Sequence, residues 1–324
     1  MGLPPSSESR PICQPPARRP PSHALTGLPM SDPNGPAGRA EIEKLMVELR
    51  PRLHRYCARM AGSVIEGEDV LQETLIKALQ ALDRGAGVEK PEQWLFRIAH
   101  NAAQDFLRRR SREMARMSEA ETSHVEDETA AADSRYVARL GLRTFMHLPP
   151  AQRSAVILVD VLGLTLHETC EVTGATLAAA KAALHRGRAQ LRDLADQPDP
   201  PPELRLDTEQ ERLLRSYVDR FNARDFDAVR ALVAEDVRLD LVSRARMRGK
   251  AQVSTYFGNY GRATDWRLGL GFVDGRPAIL SRDPDSGAVR GFMLIEWRDG
   301  AVVGIRDFRY APYALEGAEI AGLD

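Results

Sequence analysis

Two stretches of this 324-residue sequence are unsuited to a folded core, and they divide the chain into parts. Residues 118–134, SEAETSHVEDETAAADS, contain six acidic residues, no lysine or arginine and no apolar repeat. Residues 196–204, DQPDPPPEL, contain prolines, which interrupt helices and sheets. Both stretches are typical of solvated linkers. We therefore expect three domains, each long enough to build its own core.

The N-terminal segment is also unlike a folded domain. Residues 1–39 contain ten prolines and almost no apolar periodicity, which predicts disorder. Because Met30 lies shortly before the first predicted helix, we hypothesise that translation starts there. The expected segments are a proline-rich N-terminus at 1–39, helical domains at 40–116 and 136–195, an acidic linker at 117–135, a proline-rich linker at 196–206, a third domain at 207–315 and a tail at 316–324.

Composition narrows the class of protein. The chain is 28% charged and 43% apolar, which predicts soluble globular domains. The formal net charge of -1 averages segments of opposite sign, so charge is informative only locally. Cys13, Cys57 and Cys170 lie far apart without metal-ligand spacing, which argues against disulfides and zinc and fits a cytoplasmic location. The sequence has neither a transmembrane-length apolar stretch nor a signal peptide, so we expect no membrane partner.

The first domain is predicted to be all helical. Further helices are expected over roughly Glu66 to Leu82 and about Pro91 to Arg116. The first helix begins near Glu41, and its apolar residues recur at three- and four-residue spacings: Ile42, Leu45, Met46, Leu49, Leu53, Tyr56 and Met60.

The second domain contains a helix-turn-helix pattern. Thr165 and Glu168 form a predicted capping box at the start of a short helix that ends near Gly174. Thr176 then caps a helix rich in alanine and arginine, ATLAAAKAALHRGRAQLRDL from Ala175. In such a motif the second helix lies in the major groove of DNA. The alternative is that alanine is simply a strong helix former in an arginine-rich protein, in which 40 of 45 basic residues are Arg.

The third domain has a mixed pattern. Two amphipathic helices, the second including Phe226, Leu232 and Val233, precede a strand predicted at Val237 to Val242 and a short helix at Lys250 to Tyr260. The remaining residues indicate strands separated by turns such as Asp274-Gly275. The fold class is therefore two all-α domains followed by an α+β domain.

Two helical stretches of the first domain carry functional side chains. EDVLQETLIKAL, from Glu68, places Asp69, Gln72 and Glu73 on one face. WLFRIAHNAAQDFLRRRSR, from Trp94, mixes aromatic residues with basic ones, including His100, and suits stacking on unpaired bases and contact with phosphates. For Trp94 and Phe106 taken singly, packing in the core is an equal alternative.

These two stretches resemble the extracytoplasmic-function (ECF) group of sigma factors in the sigma-70 family, whose patterns are roughly (E/D)DxxQExFxxA and WLxxIAxNxxxDxxRxxxR. The resemblance implies that Asp69, Gln72 and Glu73 face the largest subunit of core RNA polymerase. It also implies recognition and melting of the minus-ten promoter element by the second stretch. The residues implicated there are Trp94, Asn101, Asp105, Arg108, Arg109 and Arg112.

The second domain is similar to the region of these sigma factors that recognises the minus-thirty-five element. There the helix usually reads GTVKSRLHRAR, and the same positions here read AAAKAALHRGR. Ala182 and Ala183 replace the usual Ser and Arg, which weakens any transfer of promoter preference. The residues implicated in binding DNA are Thr176, Lys181, His185, Arg186 and Arg188.

The third domain resembles the SnoaL-like branch of the NTF2-like fold, a cone-shaped α+β domain with a pocket, through LLRSYVDRFNARDFDAVRALVAEDVRLDL and the final IRDFRYAPY. Sigma factors with this extension form a subgroup. The resemblance implies that the extension modulates sigma activity in place of a separate anti-sigma factor, either by sensing a small-molecule ligand or through a purely intramolecular contact. Candidate pocket residues are Asp240, Arg246, Asp307 and Tyr310. All seven histidines precede residue 196, which argues against one form of SnoaL-like acid-base catalysis. A buried structural pair of Arg306 or Arg309 with a carboxylate is the alternative.

The sequence therefore predicts a transcription initiation factor, not an enzyme, whose partners are core RNA polymerase and promoter DNA. No cofactor, catalytic residue or metal is expected. Two alternatives stay open: a ligand-responsive helix-turn-helix regulator that acts without polymerase, and a SnoaL-like enzyme with a DNA-binding tether.

Overall fold

The computed structural model describes residues 36–117, 141–195 and 204–323. The expected acidic linker, most of the proline-rich linker, nearly all of the expected disordered N-terminus and Met30 lie outside the described residues. No described helix is long and apolar enough to cross a membrane. Among the same residues, no group of three or more His, Cys, Asp or Glu side chains is arranged to hold a metal ion.

The first helical domain contains helices α1 (Pro36–Ala61), α2 (Val64–Asp83) and α3 (Pro91–Met117). Helix α1 begins at Pro36, four residues before the predicted domain boundary at residue 40. Proline suits this place, since the first helical position needs no hydrogen-bonded N–H group. Ser63 caps α2 by accepting a hydrogen bond from the N–H of Ile65 at 3.2 Å.

The second helical domain has the predicted helix-turn-helix. The capping box of Thr165 and Glu168 is confirmed in both directions, and Gly174 ends the first helix of the motif in the left-handed conformation at φ 74°. Its helices are α4 (Leu142–Met146), α5 (Pro150–Val156), which continues as a π-helical stretch at Ile157–Val161, α6 (Leu166–Thr173) and α7 (Leu177–Ala195).

The two helical domains pack against each other through one continuous hydrophobic cluster. Buried Leu53 and Phe96 of the first domain belong to the same cluster as buried Phe145 and Leu191 of the second. Arg153 strengthens the junction, because its buried guanidinium donates to the carbonyl oxygen of Met60 at 2.6 Å. The helices therefore form a single compact body.

The C-terminal domain begins with helices and ends in one mixed sheet, which confirms the predicted fold class. The sheet order within the described residues is β2-β1-β6-β5-β4-β3-β7, and only β1 and β6 pair in parallel. Its elements are α8 (Thr208–Asn222), α9 (Phe226–Ala231), β1 (Val233–Leu241), β2 (Ala245–Arg248), α10 (Lys250–Arg262), β3 (Arg267–Val273), β4 (Arg276–Arg282), β5 (Val289–Arg298), β6 (Ala301–Asp307), a 3-10 helix (Pro312–Leu315) and β7 (Ile320–Leu323).

Two boundaries differ from the sequence prediction. Val233 begins β1 and does not end the preceding helix, because β1 pairs with Val302 from that residue onward. The predicted tail at 316–324 is part of the fold, since Ile320–Leu323 forms edge strand β7 against β3. Neither pairing is visible in local sequence, because both partners are distant in the chain.

The two faces of the sheet contact different partners. One face, with Ile279 and Met293, packs on α8 and α10 in an aromatic-rich core. The opposite face, with Leu280 and Phe292, packs on Ile65 of α2 together with Phe308 and Ala314. The alternation of strand side chains thus produces both a domain core and a docking face for the first helical domain.

The α1–α2 crossing leaves no space for a side chain at Gly67. A Cβ atom there would lie 2.5 Å from Cα and 2.6 Å from N of Ala58. We predict that Gly67→Ala lowers the free energy of unfolding by roughly 1–3 kcal/mol, because backbone atoms must separate. Gly258→Ala is the matched control, since this helical glycine has nothing within 4 Å of the added Cβ. It should raise stability by about 0.5–1 kcal/mol in urea denaturation, and equal effects of both variants would contradict the prediction.

Candidate polymerase and promoter interface

Helix α2 presents the residues predicted to face polymerase along one surface. Val70, Leu71 and Ala78 turn into the helical core, where each is at most 1% exposed. This fixes the rotation of the helix, so that Asp69 and Gln72 point away from that core.

The C-terminal domain contacts this surface directly. Arg306 of β6 forms an ion pair with Asp69 at 2.8 Å. Arg246 of β2 donates a hydrogen bond to the side-chain oxygen of Gln72. Both arginines lie on the sheet face that meets α2, next to Asp240. Two of the three residues predicted to bind polymerase are therefore engaged by the C-terminal domain.

Glu68 is the buried centre of the same contact, and sequence reasoning did not select it as a site residue. Its side chain is fully buried, pairs with Arg50 at 2.5 Å and accepts a hydrogen bond from the Tyr313 hydroxyl at 3.1 Å. Arg50 also donates to the Tyr313 oxygen at 2.7 Å. Burial raises the pKa of Glu68, and the Arg50 guanidinium opposes that effect. The only local signal was its position at the head of EDVLQETLIKAL.

The β3–β4 turn secures the start of α2. Asp274, at φ 50°, accepts a hydrogen bond from the backbone N–H of Val64 at 2.6 Å. A carboxylate at this place satisfies a donor that the helix itself leaves free and interacts favourably with the helix dipole. Two residues along the turn, Arg276 pairs with Glu66 at 2.6 Å. The predicted Asp274-Gly275 turn thus acts as an interdomain cap.

Glu73, the third residue predicted to face polymerase, is not touched by the C-terminal domain. It pairs with Lys77 and Arg109, each at 2.8 Å. Lys77 also reaches Asp105 at 3.3 Å, and Asp105 pairs with Arg108. These contacts link the predicted polymerase surface of α2 to the predicted promoter surface of α3.

The promoter residues predicted on α3 divide between exposed and packed positions. Asn101, Arg108, Arg109 and Arg112 are exposed, whereas Trp94 is half-buried against the helical core. His100 was counted among the basic residues of this stretch, but it is 8% exposed and lies 2.8 Å from the Tyr56 hydroxyl. Because burial lowers the pKa of His100 to about 4, it carries no charge near neutral pH.

The N-terminal part of α3 lies against the helix-turn-helix. Arg97 donates to the carbonyl oxygen of Glu171 at 2.9 Å, and Lys90 pairs with the Glu171 side chain. Arg52 donates to the carbonyl of Leu162 at 3.5 Å. The second helical domain therefore covers part of the surface predicted to meet the minus-ten element.

Most of the residues predicted to bind DNA around helix α7 are exposed. Thr176, Lys181, His185 and Arg186 are exposed, and Ala183 packs inward at 8% exposure. The alanines therefore serve two purposes: some keep the exposed face small, and others let α7 approach α5. Gly187 also permits this close approach, because a Cβ there would lie 2.7 Å from Val156 Cγ2.

Arg188 differs from the other residues predicted on α7. Its guanidinium binds both oxygens of Asp160, at 2.9 and 2.5 Å, and the Asp160 side chain is 1% exposed. Such a two-point ion pair orients α7 on the π-helical stretch that ends α5. Binding of DNA by Arg188 stays a prediction, and it competes with this structural pair.

The pocket residues predicted in the C-terminal domain are not brought together. Asp240 and Arg246 pair with each other at 3.5 Å on the face toward α2, whereas Asp307 lies on the opposite face. Tyr310 is 41% exposed and has the Arg244 guanidinium 4.3 Å from its ring centre. The register of β1, β2 and β6 explains the separation, because neighbouring residues of a strand point to opposite faces.

Asp307 is buried and has three hydrogen-bond donors. The hydroxyls of Tyr256 and Tyr260 donate to its carboxylate at 2.9 and 2.8 Å, and the backbone N–H of Arg309 donates at 2.9 Å. Burial raises the pKa of Asp307, and these donors oppose the effect. Arg306 and Arg309 do pair with carboxylates, those of Asp69 and Asp265, whereas Asp307 is held by two tyrosines of α10. Their hydroxyls were not selected as site residues, although the YF pattern at Tyr256 lies on the predicted helix.

Comparison with known protein families matches three parts of the chain. A model of sigma-70 region 2 matches residues 45–113, and a model of sigma-70 region 4 matches residues 142–191. A SnoaL-like domain model matches residues 214–305.

Individual similar proteins are named as sigma factors. The ECF RNA polymerase sigma factor SigE of Mycolicibacterium smegmatis is 32% identical over 181 residues, covering 53% of this chain and 69% of SigE. The ECF RNA polymerase sigma factor SigG of Mycobacterium tuberculosis is 30% identical over 210 residues, covering 55% of each chain, so this chain spans about half the length of SigG. The crystal structure of the extracytoplasmic function sigma factor SigJ of Mycobacterium tuberculosis is 20% identical, with a TM-score of 0.33 and coverage of 82% of this chain and 95% of SigJ.

The Arg188–Asp160 pair leads to a prediction about neighbouring arginines of α7. Arg188→Ala should lower the free energy of unfolding by roughly 1–3 kcal/mol, because it leaves the Asp160 carboxylate buried without its partner. Arg186→Ala should change it by less than about 0.5 kcal/mol, since Arg186 is exposed. Urea denaturation of both variants measures the difference. Equal stability would show that Arg188 has no structural role.

Proposed function

Because this chain belongs to the ECF sigma factor family of bacterial RNA polymerase, we propose that it binds core polymerase in the cytoplasm and directs it to a set of promoters. In this proposal α2 binds polymerase, α3 recognises and melts the minus-ten element, and α7 recognises the minus-thirty-five element. The observation that carries the proposal is the order of two sigma-type helical domains, with an exposed basic surface on α7.

The compact arrangement of the helical domains is the inactive state of this proposed factor. The two promoter elements are named for positions about 25 base pairs apart, which is roughly 85 Å of B-form DNA. Helices that share a core lie about 8–10 Å apart. Since α1–α3 and α5–α7 pack in one core, they cannot contact both elements until the domains separate.

The C-terminal domain modulates the factor by covering the polymerase surface. Asp69 and Gln72 must release Arg306 and Arg246 before they can bind another protein. The Asp274 contact to Val64 and the Arg276–Glu66 pair hold the start of the same helix. These contacts favour an inhibitory role, because the residues that would bind polymerase are the ones that the domain engages.

The proposed factor performs no covalent chemistry. Asp307 is the pocket candidate whose buried carboxylate would suit a general base. Its carboxylate is 1% exposed and already accepts three hydrogen bonds, so it has no open approach for a substrate. Asp307 instead holds α10 to the sheet. A small-molecule ligand inside this domain stays a prediction from resemblance.

The proposed division of labour is tested with two variants outside the interdomain contacts. Glu73→Ala should weaken binding to core polymerase by roughly tenfold, because it removes a carboxylate from the polymerase surface of α2. Arg186→Ala should weaken the promoter complex by about tenfold or more without changing core binding, because it removes a DNA contact. Binding to purified core polymerase and in vitro transcription measure the two effects. Loss of both activities in each variant would contradict the assignment.

The inhibitory role predicts a gain of binding. Arg306→Glu and, separately, Arg246→Glu should raise affinity for core polymerase by roughly threefold to tenfold. Arg306→Glu replaces the attraction to Asp69 by repulsion, and Arg246→Glu removes the hydrogen bond to Gln72. Arg262→Glu is the control, since it makes the same charge change at an exposed residue of the same domain. Affinity at or below that of the control in both variants would overturn the inhibitory role.

A further inference from the structure

A cavity of about 650 Å³ lies where the three domains meet. It is bordered by the α1–α2 turn, helix α3, helix α4 and the β3–β4 turn. This volume is within the usual range for small-molecule sites. The titratable side chains around it are Glu66, Arg110, Arg143, His147, Asp274 and Arg276.

Positive charge prevails in this cavity. Glu66 is shared by Arg110 at 2.8 Å and Arg276 at 2.6 Å, so one carboxylate faces two guanidinium groups. Both oxygens of Asp274 accept hydrogen bonds from backbone N–H groups, of Val64 at 2.6 Å and Glu319 at 2.9 Å. Neither acid is therefore available to neutralise the remaining arginine of the lining.

Arg143 is that remaining arginine. It is exposed to the cavity on α4 and makes no hydrogen bond or ion pair with any described residue. A guanidinium group offers five N–H donors in a fixed fork that matches carboxylate and phosphate oxygens. Three such groups around one space select an anion and disfavour a cation or a neutral apolar molecule.

We propose that this cavity binds a small, multiply charged anion, of the phosphate-ester or polycarboxylate class. Arg143 binds the anion with its unused donors, and Arg110 and Arg276 contribute the donors that Glu66 leaves free. Because α4, α3 and the β3–β4 turn each supply one of these arginines, the ligand contacts all three domains only while they are packed together.

The ligand therefore stabilises the compact arrangement. A molecule that binds one arrangement more tightly than another shifts the equilibrium toward the first by its difference in affinity. This regulatory consequence rests on the proposed sigma function, in which the compact arrangement is inactive. The binding itself does not depend on that function.

Calorimetric titration of the full chain tests the site without polymerase. Sodium pyrophosphate represents the phosphate-ester class and sodium citrate the polycarboxylate class, both at one constant ionic strength. The anion that binds more tightly identifies the class of ligand. Saturable binding of at least one is expected. Arg143→Glu should weaken it tenfold or more, since charge-assisted hydrogen bonds are lost and repulsion is added. Arg262→Glu, with the same charge change outside the cavity, should bind as the wild type does.

Two outcomes would overturn the site: no saturable binding of either anion, or equal affinity of the Arg143→Glu and Arg262→Glu variants. Arg143→Glu should keep the wild-type melting temperature without ligand, because Arg143 holds no other described residue. In vitro transcription then tests regulation, and the bound anion should lower output from the wild type more than from Arg143→Glu. Output that rises or stays constant would overturn the regulatory consequence, whereas absence of any transcription activity would count against the sigma proposal alone.

Discussion

The packing of one sheet face on the α1–α2 turn determines which surfaces of this chain are accessible. Phe308, Ala311 and Ala314 meet Val64 and Ile65 in an apolar contact. The polar contacts around it, including Arg306–Asp69 and the buried Glu68 group, have their geometry only because this apolar contact sets the distance between sheet and helix. Partly exposed ion pairs contribute about 0–1 kcal/mol each. Apolar burial therefore supplies most of the attraction between the sheet and the helix, and the ion pairs determine how the two are aligned.

The polar contacts of this interface are compatible with the domain separation that the proposed function requires. Glu68 loses its Tyr313 partner when the domains separate, but the carboxylate is then hydrated, which offsets much of the lost contact. Asp69 is already 55% exposed at its side chain. A competing protein can thus replace the sheet on α2 without leaving an unpaired charge in an apolar environment. The Arg188–Asp160 pair is different, because both residues belong to the second helical domain and separation of the domains does not part them.

Local pattern was sufficient for the elements and for the domain order. The capping box at Thr165, the left-handed Gly174 and the apolar period of α1 are properties of neighbouring residues, and each was found as expected. Contacts between distant segments could not be predicted from local sequence pattern. Strand β7 pairs with residues 47 to 53 positions earlier, from Val273 for Ile320 to Leu270 for Leu323, and no local signal distinguishes it from a tail. The positions of Asp240 and Asp307 on opposite faces also required the register of three strands, since both look like carboxylates on apolar strands.

The contact between Arg306 and Asp69 joins two parts of one polypeptide, and this affects how the proposed inhibition responds to protein amount. A tethered partner acts at an effective concentration that depends on the tether and not on the number of molecules in the cell, commonly in the millimolar range for short flexible tethers. An inhibitor made as a separate chain can be diluted or outnumbered. Here the ratio of inhibitor to target is fixed at synthesis, so overproduction of the protein leaves the inhibited fraction unchanged. Release then requires a change in chemistry or a competing partner, not a change in dose.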